Sequence, residues 1–418
     1  MQAMRVPGAY KWFVVAMLWC VCFLNYADRQ LLFTVFPLLG AEFRLTDAAL
    51  SVLSASFMCA YALFGPVAGF ISDRVGRRNV VLGALVLWSA TVVATSFARH
   101  YLLLVAGVAM GGLGEAFYFP AAMSVIADYH AVDTRSRAMA FHQSSVYVGS
   151  IVGGAMSGYV GQFYGWRPGF RLFGAVGIAL ACLLWIVLRE PQRGLSDGAA
   201  GKLQASPRIV EGLRELAHNS TAWTLVMVFV GANFVAMIFT VWMPTYLFRT
   251  FHMSLSMAGF SGAAYLQIAS VVGVVAGGAL ADARVRHKPG DRGARMTVQA
   301  LGLFCGVPFL ILSGFATTVT VVLAAMIGYG LFKGVYDSNL WAALYDVVPI
   351  ERRGAALGIM NSLGWLGGAV AQLSIGLASE RFGMSMCLSA TAAIYLGVAL
   401  LLWTGARRLR APASMESL

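Results

Sequence analysis

The amino-acid sequence predicts an all-α membrane protein with twelve transmembrane helices in two pseudo-symmetric six-helix halves. The composition is strongly apolar, with a mean hydropathy of +0.74, 59% hydrophobic residues and only 11% charged residues. Soluble domains carry about twice this share of charged residues. Stretches without Asp, Glu, Lys or Arg recur along the chain, and matching charged residues return about half a chain apart.

The apolar stretches are each expected to be helical. About 20 apolar residues cross a bilayer as a helix, and lipid offers no hydrogen-bond partner to an open backbone. Each predicted span is placed to within about four residues at either end. The spans cover residues 11–38, 47–72, 79–98, 101–128, 138–164, 169–189, 221–248, 255–282, 296–314, 317–346, 354–379 and 384–404.

The net charge of +12 follows the loops of this arrangement. With a cytoplasmic N-terminus, most Lys and Arg residues lie in the termini and in the loops after even-numbered spans, as the positive-inside rule requires. We therefore expect both termini to face the cytoplasm, in the inner (plasma) membrane of a bacterium. The basic balance reflects topology and predicts no nucleic-acid partner.

A long polar interruption divides the chain. We predict an N-terminal half at 1–189, a cytoplasmic linker at 190–220 and a C-terminal half at 221–418. Apolar residues at helical spacing within the linker favour a short amphipathic helix on the inner membrane surface. A plain tether explains the segment equally well.

The two halves are related in sequence. Asp73 corresponds to Asp282, and Asp128 corresponds to Asp346 at a longer offset along the chain. The nine-residue difference between the two offsets fits inside a longer and more basic loop at 283–295. The chain therefore repeats one six-span plan in parallel.

A basic motif lies between the second and third spans: Gly69-Phe-Ile-Ser-Asp73-Arg74-Val-Gly76-Arg77-Arg78. Gly69 permits close helix approach and Gly76 a tight turn. Asp73 can pair with a basic residue on the same side of the membrane, and Arg137 is one candidate. The alternative is that the arginines only set topology. At Asp282 the repeat lacks the following arginine and the Gly-Arg-Arg, so we expect weaker interactions there.

Charged residues inside the first and fourth spans are the strongest signal of function. Asp28 and Arg29 follow Asn25 and Tyr26, and Glu115 lies near the middle of the fourth span. Charges in a membrane helix are costly unless they face partners or a cavity, and they commonly serve function. Asp28 and Glu115 are therefore candidates for proton coupling, with Arg29 as the partner of an anion. The alternative is a permanent cluster that only holds the two spans together.

The second half carries Lys333 and Asp337 in the tenth span, and Lys333 aligns with Glu115 in the repeat. At i, i+4 spacing they can satisfy each other; otherwise Lys333 is a second cation for an anion. Other polar residues are candidates for a ligand cavity, although hydrogen bonding between helices explains each equally well. They are Asn25, Tyr26, Tyr61, Tyr118, Tyr147, Gln267, Asn339 and Asn361.

The basic motif, its place and the half-chain repeat resemble the major facilitator superfamily of secondary transporters. Asn25-Tyr-x-Asp28-Arg29, Glu115 with Pro120, and Trp242-Met-Pro244-Thr-Tyr246 resemble two branches of it. One branch takes up sugar acids and other organic anions with protons, and the other, spinster-like branch moves lysolipids and other amphiphiles. Both usually have an arginine where this chain has Val108.

The resemblance implies alternating access of two halves to a central site. Arg29 would hold a small anionic substrate, Asp28 and Glu115 would carry protons, and the motif around Asp73 would gate the cytoplasmic side. A monomer is the usual state of this fold. No ATP-binding Gly-x-x-x-x-Gly-Lys-Ser/Thr motif, metal-ligand spacing or nucleophile motif is present in the sequence, so we expect no enzyme activity, metal or cofactor.

Overall fold

The structure of the protein, a computed structural model, describes residues 8–190, 218–288, 290–291, 293–349 and 352–410. For seven residues in these ranges only the backbone is described: Gly8, Gly69, Phe70, Ser72, Asp73, Val132 and Arg410. The described residues are almost entirely helical. The helices are α1 (Gly8–Thr34), α2 (Phe36–Phe43), α3 (Asp47–Val75), α4 (Arg77–Thr95), α5 (Tyr101–Tyr129), α6 (Val132–Tyr164), α7 (Trp166–Val187), α8 (Ser220–Thr250), α9 (Leu255–His287), α10 (Ala294–Phe315), α11 (Val319–Asp337), α12 (Leu340–Val347), α13 (Arg353–Phe382) and α14 (Met384–Arg410).

All twelve predicted spans are present, so the predicted fold class is confirmed. Helices α1 and α2 together form the first span, α11 and α12 form the tenth, and each other helix is one span. Eleven segments of the described chain are long and apolar enough to cross a membrane. The remaining span, α6, has 33 residues; its first turns carry Asp133, Arg135 and Arg137, and the rest of the helix is rich in Gly and Ser, which lowers its hydropathy. It packs along α1 within the first half.

Two spans differ from the sequence prediction because their helices are interrupted. The first span breaks at Val35, and Pro37 lies in the first turn of α2. Proline has no backbone N–H and its ring clashes with the preceding turn, which accounts for the break. The tenth span breaks at Ser338 and Asn339, where no proline or glycine signals it.

The contacts between Cα atoms divide the chain into two compact units, Met1–Ala205 with His252–Phe260, and Ser206–Phe251 with Ser261–Leu418. Equivalent helices pack together inside each unit. In the first unit these pairs include α1 with α6, α4 with α5, and α4 with α7; their counterparts in the second are α8 with α13, α10 with α11, and α10 with α14. Most of the predicted linker at 190–220, with its amphipathic helix, lies outside the described residues.

One glycine contact shows how closely the two halves repeat each other. A Cβ on Gly112 of α5 would lie 2.4 Å from the Phe57 carbonyl oxygen of α3. A Cβ on Gly330 of α11 would lie 2.5 Å from the Leu266 carbonyl oxygen of α9. The two glycines are separated by the longer of the two offsets that relate the aspartates, and their carbonyl partners by the shorter one. Both halves therefore need glycine where their second and fourth spans cross, at α3 with α5 and at α9 with α11.

Candidate functional site

The centre of the first unit holds a buried ion pair between α1 and α5. Arg29 Nε donates to Glu115 Oε2 at 2.6 Å, and the two side chains are only 7% and 4% exposed. Removing one partner of such a pair leaves the other charge buried and uncompensated. The sequence predicted both residues, and the structure brings them together.

Three aromatic rings surround the Arg29 guanidinium. Its central carbon lies 4.5 Å from the ring centroid of Tyr26, 5.1 Å from that of Tyr61 and 5.3 Å from that of Phe57. Aromatic faces attract a cation at this distance. The sequence predicted Tyr26 and Tyr61. It gave no signal for Phe57, because a phenylalanine in an apolar helix resembles any packing residue.

Asp28 points to a different neighbour. Successive residues on a helix are about 100° apart, so Asp28 and Arg29 face different directions. Trp88 of α4 donates its indole N–H to Asp28 Oδ2 at 3.1 Å, and both residues are buried. The three predicted charges are therefore close together but occupy two separate contacts. Trp88 was missed by the sequence analysis, since a tryptophan in a span usually serves packing.

Tyr118 belongs to the core of the first unit. Its hydroxyl donates to the Leu18 carbonyl oxygen at 2.6 Å and lies 2.9 Å from His142 Nε2. Because the hydroxyl proton is directed to the carbonyl, we assign the second contact as an N–H donated by His142. These contacts favour the helix-packing alternative for Tyr118. Of the other candidates on this unit, Asn25 is buried and Tyr147 is half-buried.

The second unit holds the remaining predicted polar residues. Lys333 and Asp337 form an ion pair along α11, as their i, i+4 spacing allows. Gln267 on α9 and Asn361 on α13 are half-buried. Asn339 is buried; its amide N–H groups bond Gly277 O and Ser338 Oγ, and its Oδ1 accepts from Arg295 Nη1 at 3.1 Å. Asn339 therefore belongs to a charged network rather than to an open polar surface.

The basic motif forms a tight turn that other elements fix in place. Gly76 has φ +102°, a conformation that favours glycine. Arg77 pairs with Asp128 at the end of α5 and donates to the Ser124 carbonyl at 3.2 Å. The carboxylate of Glu190 accepts the backbone N–H groups of Arg77 and Arg78, each at 2.8 Å. A carboxylate here satisfies the open N–H groups at the start of α4 and its helix dipole.

The end of α7 completes this structure, which the sequence analysis did not anticipate. The Arg78 side chain donates to the carbonyl oxygens of Leu188 at 2.5 Å and Trp185 at 2.6 Å. Arg74 and Arg137 are exposed. The contacts of Gly69 and the side chain of Asp73 lie outside the described part of the structure, so the pairing of Asp73 with Arg137 stays a prediction.

The Gly-Arg-Arg is absent from the second half, as the sequence indicates, but the first of its two arginines has an equivalent there. Arg295 follows Arg77 at the longer offset of the repeat. Its guanidinium is 3.5 Å from Asp282 Oδ1 and 3.4 Å from Asp346 Oδ2. It thus contacts the counterparts of Asp73 and Asp128. The longer loop before α10 moves this arginine thirteen residues beyond Asp282, so motif spacing alone could not identify it.

Comparison with known proteins identifies the chain. The sequence profile of the Major Facilitator Superfamily matches residues 18–372. The chain belongs to this superfamily. It is therefore a transporter and an integral membrane protein rather than an enzyme.

The relatives of this facilitator include both spinster-like proteins and a sugar-acid transporter. Protein spinster homolog 1 of Homo sapiens is 28% identical over 88% of this chain and 73% of its own length. The D-galactonate transporter of Escherichia coli is 25% identical over 93% of this chain and 94% of its own length. A crystal structure of a bacterial homologue of the human lysosomal transporter spinster superposes with a TM-score of 0.85 at 20% identity, covering 97% and 98% of the two chains.

A buried histidine lies beyond the end of α5. His130, just after α5, lies 3.3 Å from the Lys11 carbonyl and 3.1 Å from Thr134 Oγ1. Burial lowers the pKa of its imidazole, which keeps this histidine neutral near pH 7.

Within the described ranges no group of three or more His, Cys, Asp and Glu residues could hold a metal ion.

Proposed function

We propose that this facilitator carries a small organic anion, such as a sugar acid or another carboxylate, together with protons. The single observation that carries the proposal is the buried ion pair of Arg29 and Glu115, with Asp28 at the next position of the same helix. Charges inside membrane helices commonly mark substrate and proton pathways. Alternating access is the mechanism expected of the fold.

The contacts suggest how substrate and proton would be coupled. An anion that binds Arg29 competes with Glu115 for the same guanidinium. A proton taken up by Glu115 cancels the carboxylate charge, weakens its bond to Arg29 and leaves the cation available to the substrate. Asp28 lies beside this pair without bonding to it and provides a second carboxyl for a proton. Substrate and proton would therefore enter together.

Sugar acids are the preferred substrate class because one relative is a transporter of D-galactonate, an aldonate. Tyr26 and Tyr61 flank the guanidinium and place hydroxyl-bearing rings around it. Such rings can pack against a sugar chain while the cation binds its carboxylate. We further propose a monomer in a bacterial inner membrane with both termini in the cytoplasm.

Transport by purified protein in liposomes tests the coupling. We expect Asp28→Asn and Glu115→Gln to keep counterflow exchange of D-galactonate but to lose uptake driven by a pH gradient, because each removes a proton site. Arg29→Ala should abolish both activities. Glu42→Gln is the matched control, since Glu42 pairs with Arg167 near the end of its helix and away from the buried site. Driven uptake that persists in both carboxyl variants would contradict the mechanism.

A spinster-like transporter of a lysolipid or another amphiphile is the second candidate. It is favoured by the 28% identity to human spinster homolog 1. Thermal unfolding in detergent separates the two, with aldonates, hexuronates, small carboxylates and lysolipids compared at pH 5.5 and 7.5. A ligand at 100 times its Kd adds roughly 2.7 kcal/mol to stability. Stabilisation by lysolipids alone would favour the second candidate, and stabilisation by one carboxylate class, stronger at the lower pH, would favour the first.

A further inference from the structure

We propose that Trp88 is a positioning residue that holds the carboxylate of Asp28 apart from the Arg29–Glu115 pair, so that the facilitator keeps two separate proton-binding carboxyls. The inference rests on the proposed function, because it assigns Asp28 its place in coupling. It concerns a residue in the middle of α4 that the sequence analysis did not identify.

The contact itself is short and enclosed. Trp88 is fully buried, and its indole Nε1 lies 3.1 Å from Asp28 Oδ2. The other oxygen, Oδ1, is buried without a hydrogen-bond partner in the described part of the chain. The indole N–H is thus the hydrogen-bond donor that the described structure supplies to this carboxyl group, and donors favour the ionised form of a carboxyl.

The tryptophan is held on two further sides. Its ring meets that of Tyr118 edge to face, with centroids 5.7 Å apart. A Cβ on Gly114 would lie 3.0 Å from both the Cβ and the backbone nitrogen of Trp88, so α5 approaches α4 closely at this point. Tyr118 is fixed in turn by Leu18 and His142. Helices α4, α5 and α6 therefore cooperate to place the indole against Asp28 of α1.

The charged groups around Asp28 are few. Arg29 belongs to its own helix and Glu115 to α5, and these two act on it electrostatically. Helix α4 contributes the neutral Trp88, and α6 contributes His142, which bonds Tyr118. Helix α7 carries two arginines, and both bond to other residues: Arg167 pairs with Glu42, and Arg171 donates to Ser96 Oγ. Without the indole, no described donor would compete with Arg29 for the Asp28 carboxylate.

A double-mutant cycle on the full-length protein in detergent tests the contact without a substrate. Trp88→Phe removes the N–H but keeps a ring against Tyr118. We expect its loss of Tm to be larger at pH 8 than at pH 5, since the lost bond favours ionised Asp28. This pH dependence should disappear in an Asp28→Asn background, because the neutral amide oxygen accepts the indole N–H equally at both pH values. In liposomes, the pH of half-maximal driven D-galactonate uptake should move about one unit toward alkaline values.

Trp166→Phe is the matched control. Trp166 also donates its indole N–H to a carboxylate, Glu42 Oε2, at 2.7 Å. Its loss of Tm should be the same with or without Asp28→Asn, and its uptake profile should match that of the wild type. If Trp88→Phe does not fold, the same comparison is made with 3-benzothienylalanine at position 88, which keeps the size of the ring and lacks the N–H.

The outcomes separate the inference from the proposed function. A loss of Tm in Trp88→Phe that is the same at pH 5 and pH 8, with driven uptake still lost in Asp28→Asn, overturns the positioning role and leaves proton coupling intact. Coupling between Trp88 and Asp28, together with unchanged driven uptake in Asp28→Asn, overturns the proposed function and with it the role of Trp88 in transport. Coupling with loss of driven uptake supports both.

Discussion

Arg29 makes the contacts that an anionic substrate would have to share. A carboxylate occupies one edge of its guanidinium, and aromatic rings lie within cation–π distance. A lysine could not reproduce these contacts, because its ammonium lacks the planar fork that bonds a carboxylate and stacks on rings. The site therefore depends on arginine chemistry and not only on a positive charge.

At the scale of residues, the sequence could predict which charged side chains are costly to place in a membrane, but not which neighbours those side chains face. Asp28, Arg29 and Glu115 were identifiable because a charge in lipid is expensive wherever it points. Which carboxyl pairs with Arg29 depends on the rotation of two helices, and the sequence does not encode this locally. The role of Trp88 was invisible for the same reason, since its polar N–H matters only once Asp28 is known to face it.

A pair of neighbouring glycines provides a prediction at this scale. Gly112→Ala should lower Tm, because its Cβ would lie 2.4 Å from the Phe57 carbonyl oxygen. Gly330→Ala should do the same in the second half. Gly111→Ala is the control, since a Cβ there meets nothing within 4 Å and alanine favours a helix by up to about 1 kcal/mol. Thermal unfolding in detergent measures all three, and a wild-type Tm for Gly112→Ala would refute the close crossing.

At the scale of elements, helices were predictable and their connections were not. Apolar runs long enough to cross the bilayer located every span, but the extension of α6 back to Val132 escaped because charged residues fill its first turns. The loop motif was recognised by its spacing. Its partner Glu190 was not, because it lies 112 to 113 residues along the chain from the backbone N–H groups whose hydrogen bonds it accepts. Such long-range partners follow from packing and not from local pattern.

The arginine networks of the two halves, around Arg77 and around Arg295, should differ in strength. Asp128 is 7% exposed, whereas Asp282 and Asp346 are 57% and 55% exposed. Breaking a buried pair costs about 3 kcal/mol or more, and exposed pairs contribute about 0–1 kcal/mol. Arg77→Ala should therefore lower Tm more than Arg295→Ala does. High salt should reduce the Tm loss of Arg295→Ala, whose ion pairs are exposed, and leave that of Arg77→Ala unchanged.

Arg74→Ala is the control for this comparison, because it removes an exposed arginine of the same motif. A larger Tm loss for Arg295→Ala than for Arg77→Ala would show that exposure does not rank the two networks. Equal losses for all three variants would mean that the number of positive charges matters and the pairing does not.

At the scale of the whole molecule, the repeat and the charge distribution were the most informative signals. Both offsets of the sequence repeat return in the structure as the equivalent contacts of Gly112 and Gly330. The fold class could be predicted in full, since twelve apolar runs and a parallel repeat leave few alternatives. The substrate could not, because its contacts depend on side-chain directions in helices whose outlines many transporters share.

Orientation in the membrane is a prediction at this scale. We expect green fluorescent protein fused to the C-terminus to fluoresce in bacteria, since the positive-inside rule places both termini in the cytoplasm. Alkaline phosphatase fused after His252, between α8 and α9, should be active, because the same rule predicts that this loop faces outward. An active phosphatase at the C-terminus combined with an inactive one after His252 would invert the topology.

Glu190 is the last described residue before the linker, and it takes part in closing the loop between α3 and α4. Its carboxylate finishes the start of α4, while Leu188 and Trp185 receive the side chain of Arg78. The residues that close the loop between α3 and α4 are thus all present by residue 190. A chain cut between residues 191 and 217 would keep this closed loop in its first part, whereas a cut before residue 185 would remove the residues that close it.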